Sequence, residues 1–98
     1  MKNCTTMPEV RAEIDRIDRE IVPLLLERLE YIAQAGHIKA DRNTVRDEDR
    51  VEDVVQKALT TAEKLNGNAT YIEDVYRYLI EWSINYEFGV WDKVAEEK

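Results

Sequence analysis

From Val10 to Ile38 one series of positions advances in alternating steps of four and three: Val10, Ile14, Ile17, Ile21, Leu24, Arg28, Tyr31, Ala35 and Ile38. A strand cannot meet this period. A heptad-like series this long predicts a helix packed along its length against other helices. Arg28 is the cation in the series, standing where an apolar residue is expected. Lys39, eleven residues on, returns to nearly the same face about 16 Å further along the axis. Arg11 lies about 25 Å from Arg28 along a straight helix, too far to share a small ligand with it. A second copy of the helix, running antiparallel, brings its own Arg11 back toward Arg28 and Lys39. Singly, each cation reads as a solvated or paired surface group. Together, at these phases, they mark an anion pocket.

A chain of 98 residues is one small domain, and a chain so short buries only a modest core by itself, so oligomerisation is expected. Three Gly, two Pro and 36% charged residues suit helices better than a sheet, and the 44% apolar content argues against disorder. The single cysteine, Cys4, cannot close an internal disulfide. No apolar run is long enough to span a membrane, and no signal-peptide core opens the chain, so the cytoplasm is the expected compartment. A net charge of −7 makes nucleic acid an unsuitable partner. An anionic small substrate is workable only where a few cations converge in a pocket while the acidic groups face water.

Taken in order, residues 1–7 are expected to form a loose tail, with Thr6 or Met7 at the cap of the first helix and Pro8 and Glu9 in its first turn. That helix is expected to run to about Ala40, bent at Pro23 but unbroken in phase. Residues 41–46 read as a short polar loop. A second helix begins at Asp47, where Asp47, Glu48 and Asp49 favour its positive end. Its apolar positions Val51, Val54, Val55, Ala58, Leu59, Ala62 and Leu65 fit a 3.6 period, and Gly67 reads as the residue just past its end. The third helix carries a capping-box pattern in Thr70-Tyr-Ile-Glu73. Its inward stripe contains Ile72, Val75, Tyr76, Leu79 and Ile80, then the polar Ser83 and Glu87 one turn apart, then Val90. Trp82, Phe88 and Trp91 add aromatic bulk, Gly89 weakens the helix end, and residues 93–98 read as a frayed charged tail. The domain is thus all-α, with a core over about residues 8–92.

One His (His37) and one distant Cys give no metal-ligand spacing, and no glycine-rich phosphate loop or Ser-His-Asp set is present. The chain offers cations, a carboxylate and a hydroxyl without an activated nucleophile, an inventory for electrostatic rather than covalent catalysis. Its ordered motifs are Val-Arg11-x-x-Ile-Asp-x-Ile-Asp18-x-x-Ile, Leu-Leu-x-Glu-Arg28, Ile38-Lys39, Val-Arg46-Asp47-x-Asp49-Arg50 and Ile-Glu-x-Ser83-x-x-x-Glu87. Each is weak alone. In this order and spacing, over residues 9 to 91, the set resembles the all-helical chorismate mutases and the related isochorismate-pyruvate lyases.

The resemblance implies an intertwined homodimer of three-helix chains with two shared active sites and no cofactor. Arg28 and Arg11 from the partner would hold the two carboxylates of chorismate. Lys39 would meet the ether oxygen and a carboxylate, Asp47 would help place the ring hydroxyl, Arg50 would brace the pocket, and Ser83 would lie near a carboxylate. Glu87 matches the position facing the ether oxygen, where many members carry glutamine. Such an oxygen only accepts hydrogen bonds, so Glu87 serves it only as the protonated acid. Many mutases also carry a glutamate where this chain has Val51. That difference, with Trp82 and Trp91, leans toward the lyase, which splits isochorismate into salicylate and pyruvate, whereas Arg46-Asp47-Glu48-Asp49-Arg50 keeps the mutase pattern. The expected reaction is the Claisen rearrangement of chorismate to prephenate, in phenylalanine and tyrosine synthesis. The alternatives are the lyase and a helical dimerisation module without activity. At this length a separate amino-acid-binding regulatory domain, and with it built-in feedback control, is not expected.

Overall fold

A computed structural model describes all 98 residues. The chain is all-helical: α1 spans Met7–Ile38, a short 3₁₀ turn spans Arg42–Thr44, α2 spans Glu48–Lys64 and α3 spans Ala69–Glu96. No helix is long and apolar enough to cross a membrane. Two compact units divide the residues, Met1–Tyr31 and Ile32–Lys98.

The first unit is the tail and most of α1. Thr6 caps the helix: its hydroxyl accepts from the Glu9 amide (3.3 Å), while the Glu9 carboxylate reaches back to the Thr6 hydroxyl (3.1 Å) and the Thr5 amide (3.4 Å). These reciprocal bonds satisfy donors that the helix start leaves unpaired. α1 continues through Pro23. Proline there removes one backbone hydrogen bond, and the good helix formers that follow, Leu24 to Arg28, carry the helix past it. No residue of Met1–Tyr31 is buried. Ile14, Ile17, Ile21 and Leu24, the expected seam, are between 41% and 64% exposed.

The second unit has a core of its own, built from Val45, Val51, Val55, Ile80 and Ile84, with Val54, Leu59, Phe88 and Trp91 packed on it. α2 and α3 supply most of these residues and run antiparallel. Ion pairs join the start of α2 to the first half of α3, Arg77 with Glu52 (3.0 Å) and Arg46, just before α2, with Glu81 (2.6 Å). Val55 is fully buried, as a 3.6-period stripe predicts.

Several expected boundaries move. Segment 41–46 is not a wholly polar loop: Asp41 caps the 3₁₀ turn, and Val45 at its end is among the most buried residues, 3% exposed. The end of α2 is a Schellman turn, with Gly67 N–H on Ala62 O (2.8 Å) and Asn66 N–H on Glu63 O (3.1 Å). Asn66, not Gly67, takes the left-handed conformation there (φ 53°). Asparagine tolerates that region better than other side chains, which leaves Gly67 the tight approach to the Ala62 carbonyl. α3 is capped by Asn68, whose side chain accepts from the Tyr71 amide (3.0 Å). Thr70 therefore lies inside the first turn, and Glu73 pairs with Arg77 one turn on (2.9 Å) instead of closing a capping box. α3 also runs through Gly89 and residues 93–96, where a frayed tail was expected.

Candidate active site

The site in the second unit is built around the place where α1 ends. Gly36, in the last turn of α1, is buried against α3. A Cβ there would stand 3.0 Å from a Val90 methyl and 3.3 Å from the Glu87 carbonyl oxygen. Only glycine permits this approach without displacement. Three residues on, Lys39 leaves the helix, its amide still bonded to Ala35 O (3.0 Å). Its main-chain carbonyl accepts a bond from the Trp91 indole N–H (3.0 Å).

The Lys39 ammonium group meets the Glu87 carboxylate at 2.6 Å and the Val45 carbonyl at 3.4 Å. Glu87 is 4% exposed. A buried carboxylate without a partner is costly, so this ion pair is what lets an acid occupy the inward face of α3. In this arrangement Glu87 accepts and Lys39 donates. Ser83, one turn before Glu87, is buried too, and its hydroxyl donates to the Leu79 carbonyl (2.7 Å).

The remaining expected site residues of this unit sit at the start of α2. Asp47 is the N-cap, its carboxylate accepting from the Arg50 amide (3.1 Å). Arg50 is exposed and its guanidinium bonds Asp53 (2.6 Å). A cavity of ≈ 390 Å³ along α2 is lined by Arg50, Val54, Lys57, Thr61 and Tyr76 among others, and by none of Lys39, Ser83 or Glu87. The structure thus joins Lys39 to Glu87 directly, stacks Ser83 one turn away, and gives Asp47 and Arg50 local partners. Val51 is a core residue, 8% exposed. Arg11 and Arg28 belong to the first unit: Arg11 is exposed and Arg28 half-buried.

Around this site an outer set of ion pairs ties the 3₁₀ turn to α3. Arg42 forks onto Asp92 (2.8 and 3.2 Å) and lies over the Phe88 ring (4.5 Å). Arg46 forks onto Glu81 (2.6 and 3.0 Å). Hydrogen bonding from these arginines holds Asp92 and Glu81 below the ordinary carboxylate range. The sequence reading missed Gly36, the Val45 carbonyl and the Trp91 indole as parts of this site. A glycine inside an otherwise regular helix was the available signal for the first.

The family model described as chorismate mutase type II matches residues 10–88, the greater part of the chain. The chain belongs to the type II chorismate mutase family. The matched segment contains all seven expected site residues, from Arg11 to Glu87. Within this family the chain is similar to the isochorismate pyruvate lyase of Pseudomonas aeruginosa, 29% identical over 90 residues that cover 92% of this chain and 89% of that protein. It is 33% identical over 75 residues to the bifunctional chorismate mutase/prephenate dehydratase of Buchnera aphidicola, covering 76% of this chain and 20% of the relative. It is 35% identical over 72 residues to the T-protein of Haemophilus influenzae, covering 72% and 19%. The chain therefore spans about a fifth of the latter two relatives and nearly all of the lyase.

Proposed function

We propose that this chain is a chorismate mutase acting as a homodimer. The observation that carries the reading is Lys39, a cation held in place by a buried carboxylate and a main-chain carbonyl at the end of α1. The Claisen rearrangement breaks one C–O bond as one C–C bond forms, with every electron pair moving inside the substrate. It needs a folded substrate conformer and a donor at the ether oxygen as negative charge develops there. Lys39 is that donor, and Glu87 fixes its position. Arg28 and Arg11 of the partner subunit clamp the two carboxylates through bidentate forks, a geometry that lysine cannot supply. Asp47 keeps one carboxylate oxygen for the ring hydroxyl while capping α2, Arg50 braces the pocket, and Ser83 lies near a carboxylate.

The dimer is supported by the exposure of Ile14, Ile17, Ile21 and Leu24, a continuous apolar stripe of the kind that soluble chains cover with a partner. The family membership and the bifunctional relatives support the reaction class.

A second reading, isochorismate pyruvate lyase, is favoured by one comparison: the relative of that name matches this chain nearly end to end. Burial of Val51 in the core agrees with it, since that position offers no carboxylate for a ring hydroxyl. In that reaction the same C–O bond breaks while a ring hydrogen moves to the enolpyruvyl methylene, giving salicylate and pyruvate. Purified protein incubated separately with chorismate and isochorismate decides between them. Prephenate formed faster than salicylate supports the mutase, the reverse supports the lyase, and turnover of neither leaves a dimerisation module.

A further inference from the structure

We propose that Trp91 is a positioning residue for Lys39, acting through the bond from its indole N–H to the Lys39 main-chain carbonyl. The inference rests on the reading of Lys39 as the donor to the ether oxygen.

The last carbonyls of a helix have no intrahelical partner and take one from elsewhere. Lys39 stands one residue past α1, and its carbonyl is taken by a side chain 52 residues away in sequence, at 3.0 Å. That bond fixes the main chain from which the lysine stem departs. The other end of the residue, the ammonium group, is fixed by Glu87 at 2.6 Å. Glu87 and Trp91 are four residues apart on α3 and so share one face of it. One helix therefore holds both ends of Lys39, and the flexible four-carbon stem is drawn between two set points. The close approach of Gly36 to Val90, between those two positions on α3, sets the spacing at which this is possible. Trp91 is half-buried and packs on the core, so phenylalanine fills most of its volume while removing only the donor. Trp91 also lies beyond the segment 10–88 that the family model matches.

A residue that only packs and one that positions Lys39 differ in a measurable way. Trp91→Phe should lower kcat about ten- to a hundredfold, the scale set by a displacement near 1 Å, with KM changed less than about twofold. In a Lys39→Ala background the same change should cost less than about twofold, because the group it positions is already gone. An equal loss in both backgrounds, no loss in either, or a change confined to KM overturns the proposal. A readout without turnover accompanies these rates. In the wild-type protein the Trp91 indole proton should exchange with deuterium at least about tenfold more slowly than that of a tryptophan peptide. Free exchange overturns the proposal even if Trp91→Phe fails to fold. A wild-type protein that turns over neither chorismate nor isochorismate but protects this proton refutes the proposed activity and leaves the contact standing.

Discussion

Residues 1–31 and 32–98 solve the burial problem in opposite ways. The second unit puts Val45, Val51, Val55, Ile80 and Ile84 out of water among themselves. The first carries a longer apolar stripe, yet Ile14, Ile17, Ile21 and Leu24 remain 51%, 41%, 42% and 64% exposed. The charged groups divide likewise. In the second unit Lys39, Arg42, Arg46, Arg50 and Arg77 have carboxylate partners at 2.6 to 3.2 Å. In the first, Arg16 bridges Glu13 and Glu20 one turn to either side. The difference is that one region buries its apolar residues within itself while the other leaves them open to water, and on the proposed reading that open stripe is the dimer interface. On the proposed reading the interface also carries the two carboxylate clamps, Arg11 and Arg28.

The sharpest way to break this comparison is to charge the stripe. Ile17→Asp exposes nothing new in an isolated chain, but in a dimer it buries an unpaired carboxylate. Dissociation of the dimer and loss of essentially all activity are expected, read by sedimentation and prephenate formation. A variant that stays dimeric and active would mean the stripe is not the interface.

Next in size is the site itself. Lys39→Ala should lower kcat by about 10²–10³, the cost of removing one preorganised donor from a developing oxyanion. It also leaves Glu87 buried without its cation, so thermal unfolding should be measured alongside. Glu87→Gln keeps an acceptor for Lys39 and adds an amide donor, and should retain far more activity than Lys39→Ala. Equal inactivity of a folded Glu87→Gln protein would assign the carboxylate a role beyond holding Lys39.

Gly36→Ala probes the packing under that site. The added methyl must displace Val90 or shift the turn away from the Glu87 carbonyl. Overpacking of this kind costs about 1–3 kcal/mol. Replacing a helical glycine by alanine returns about 1 kcal/mol, so denaturant unfolding should show a smaller net loss, and a stabilised variant would mean that Val90 gives way freely.

These sites show how far the sequence was legible. The Thr6 cap and the Asp47 start of α2 could be read because each is the side chain nearest the first apolar repeat. The Thr70 capping box could not, because Asn68 offers an equivalent acceptor two residues earlier and Arg77 draws Glu73 away. Val45 was hidden inside a polar segment, since one buried valine has no periodicity to betray it. The Lys39–Glu87 pair spans 48 residues, and only the ordered motifs joined its members. The Trp91–Lys39 bond is invisible to periodicity altogether: it depends on how closely Gly36 lets two helices meet.

The smallest expected effect concerns the outer ion pairs. Glu52, Asp53, Glu81 and Asp92 are each held below their ordinary values, chiefly by hydrogen bonds from Arg77, Lys57, Arg46 and Arg42 in turn. A carboxylate lowered in the folded state contributes stability above its unfolded value, about 4, and loses it as the pH falls through the folded value. The chain should therefore unfold at slightly lower denaturant at pH 3 than at pH 6. Added salt should shrink the difference, because these pairs are exposed and screened. A midpoint independent of pH over that window would mean the pairs contribute nothing.

The central claim is that the incomplete region of one chain completes the site of another, and mixing two inactive variants tests it most directly. Arg11→Ala and Arg28→Ala should each be nearly inactive alone. Refolded together in equal amounts they form heterodimers in which one of the two sites holds both native arginines. Random pairing then predicts about a quarter of wild-type activity, as follows from a two-fold symmetric dimer. A mixture that stays inactive, while wild-type protein treated identically recovers, would show that Arg11 and Arg28 do not serve one site from different chains.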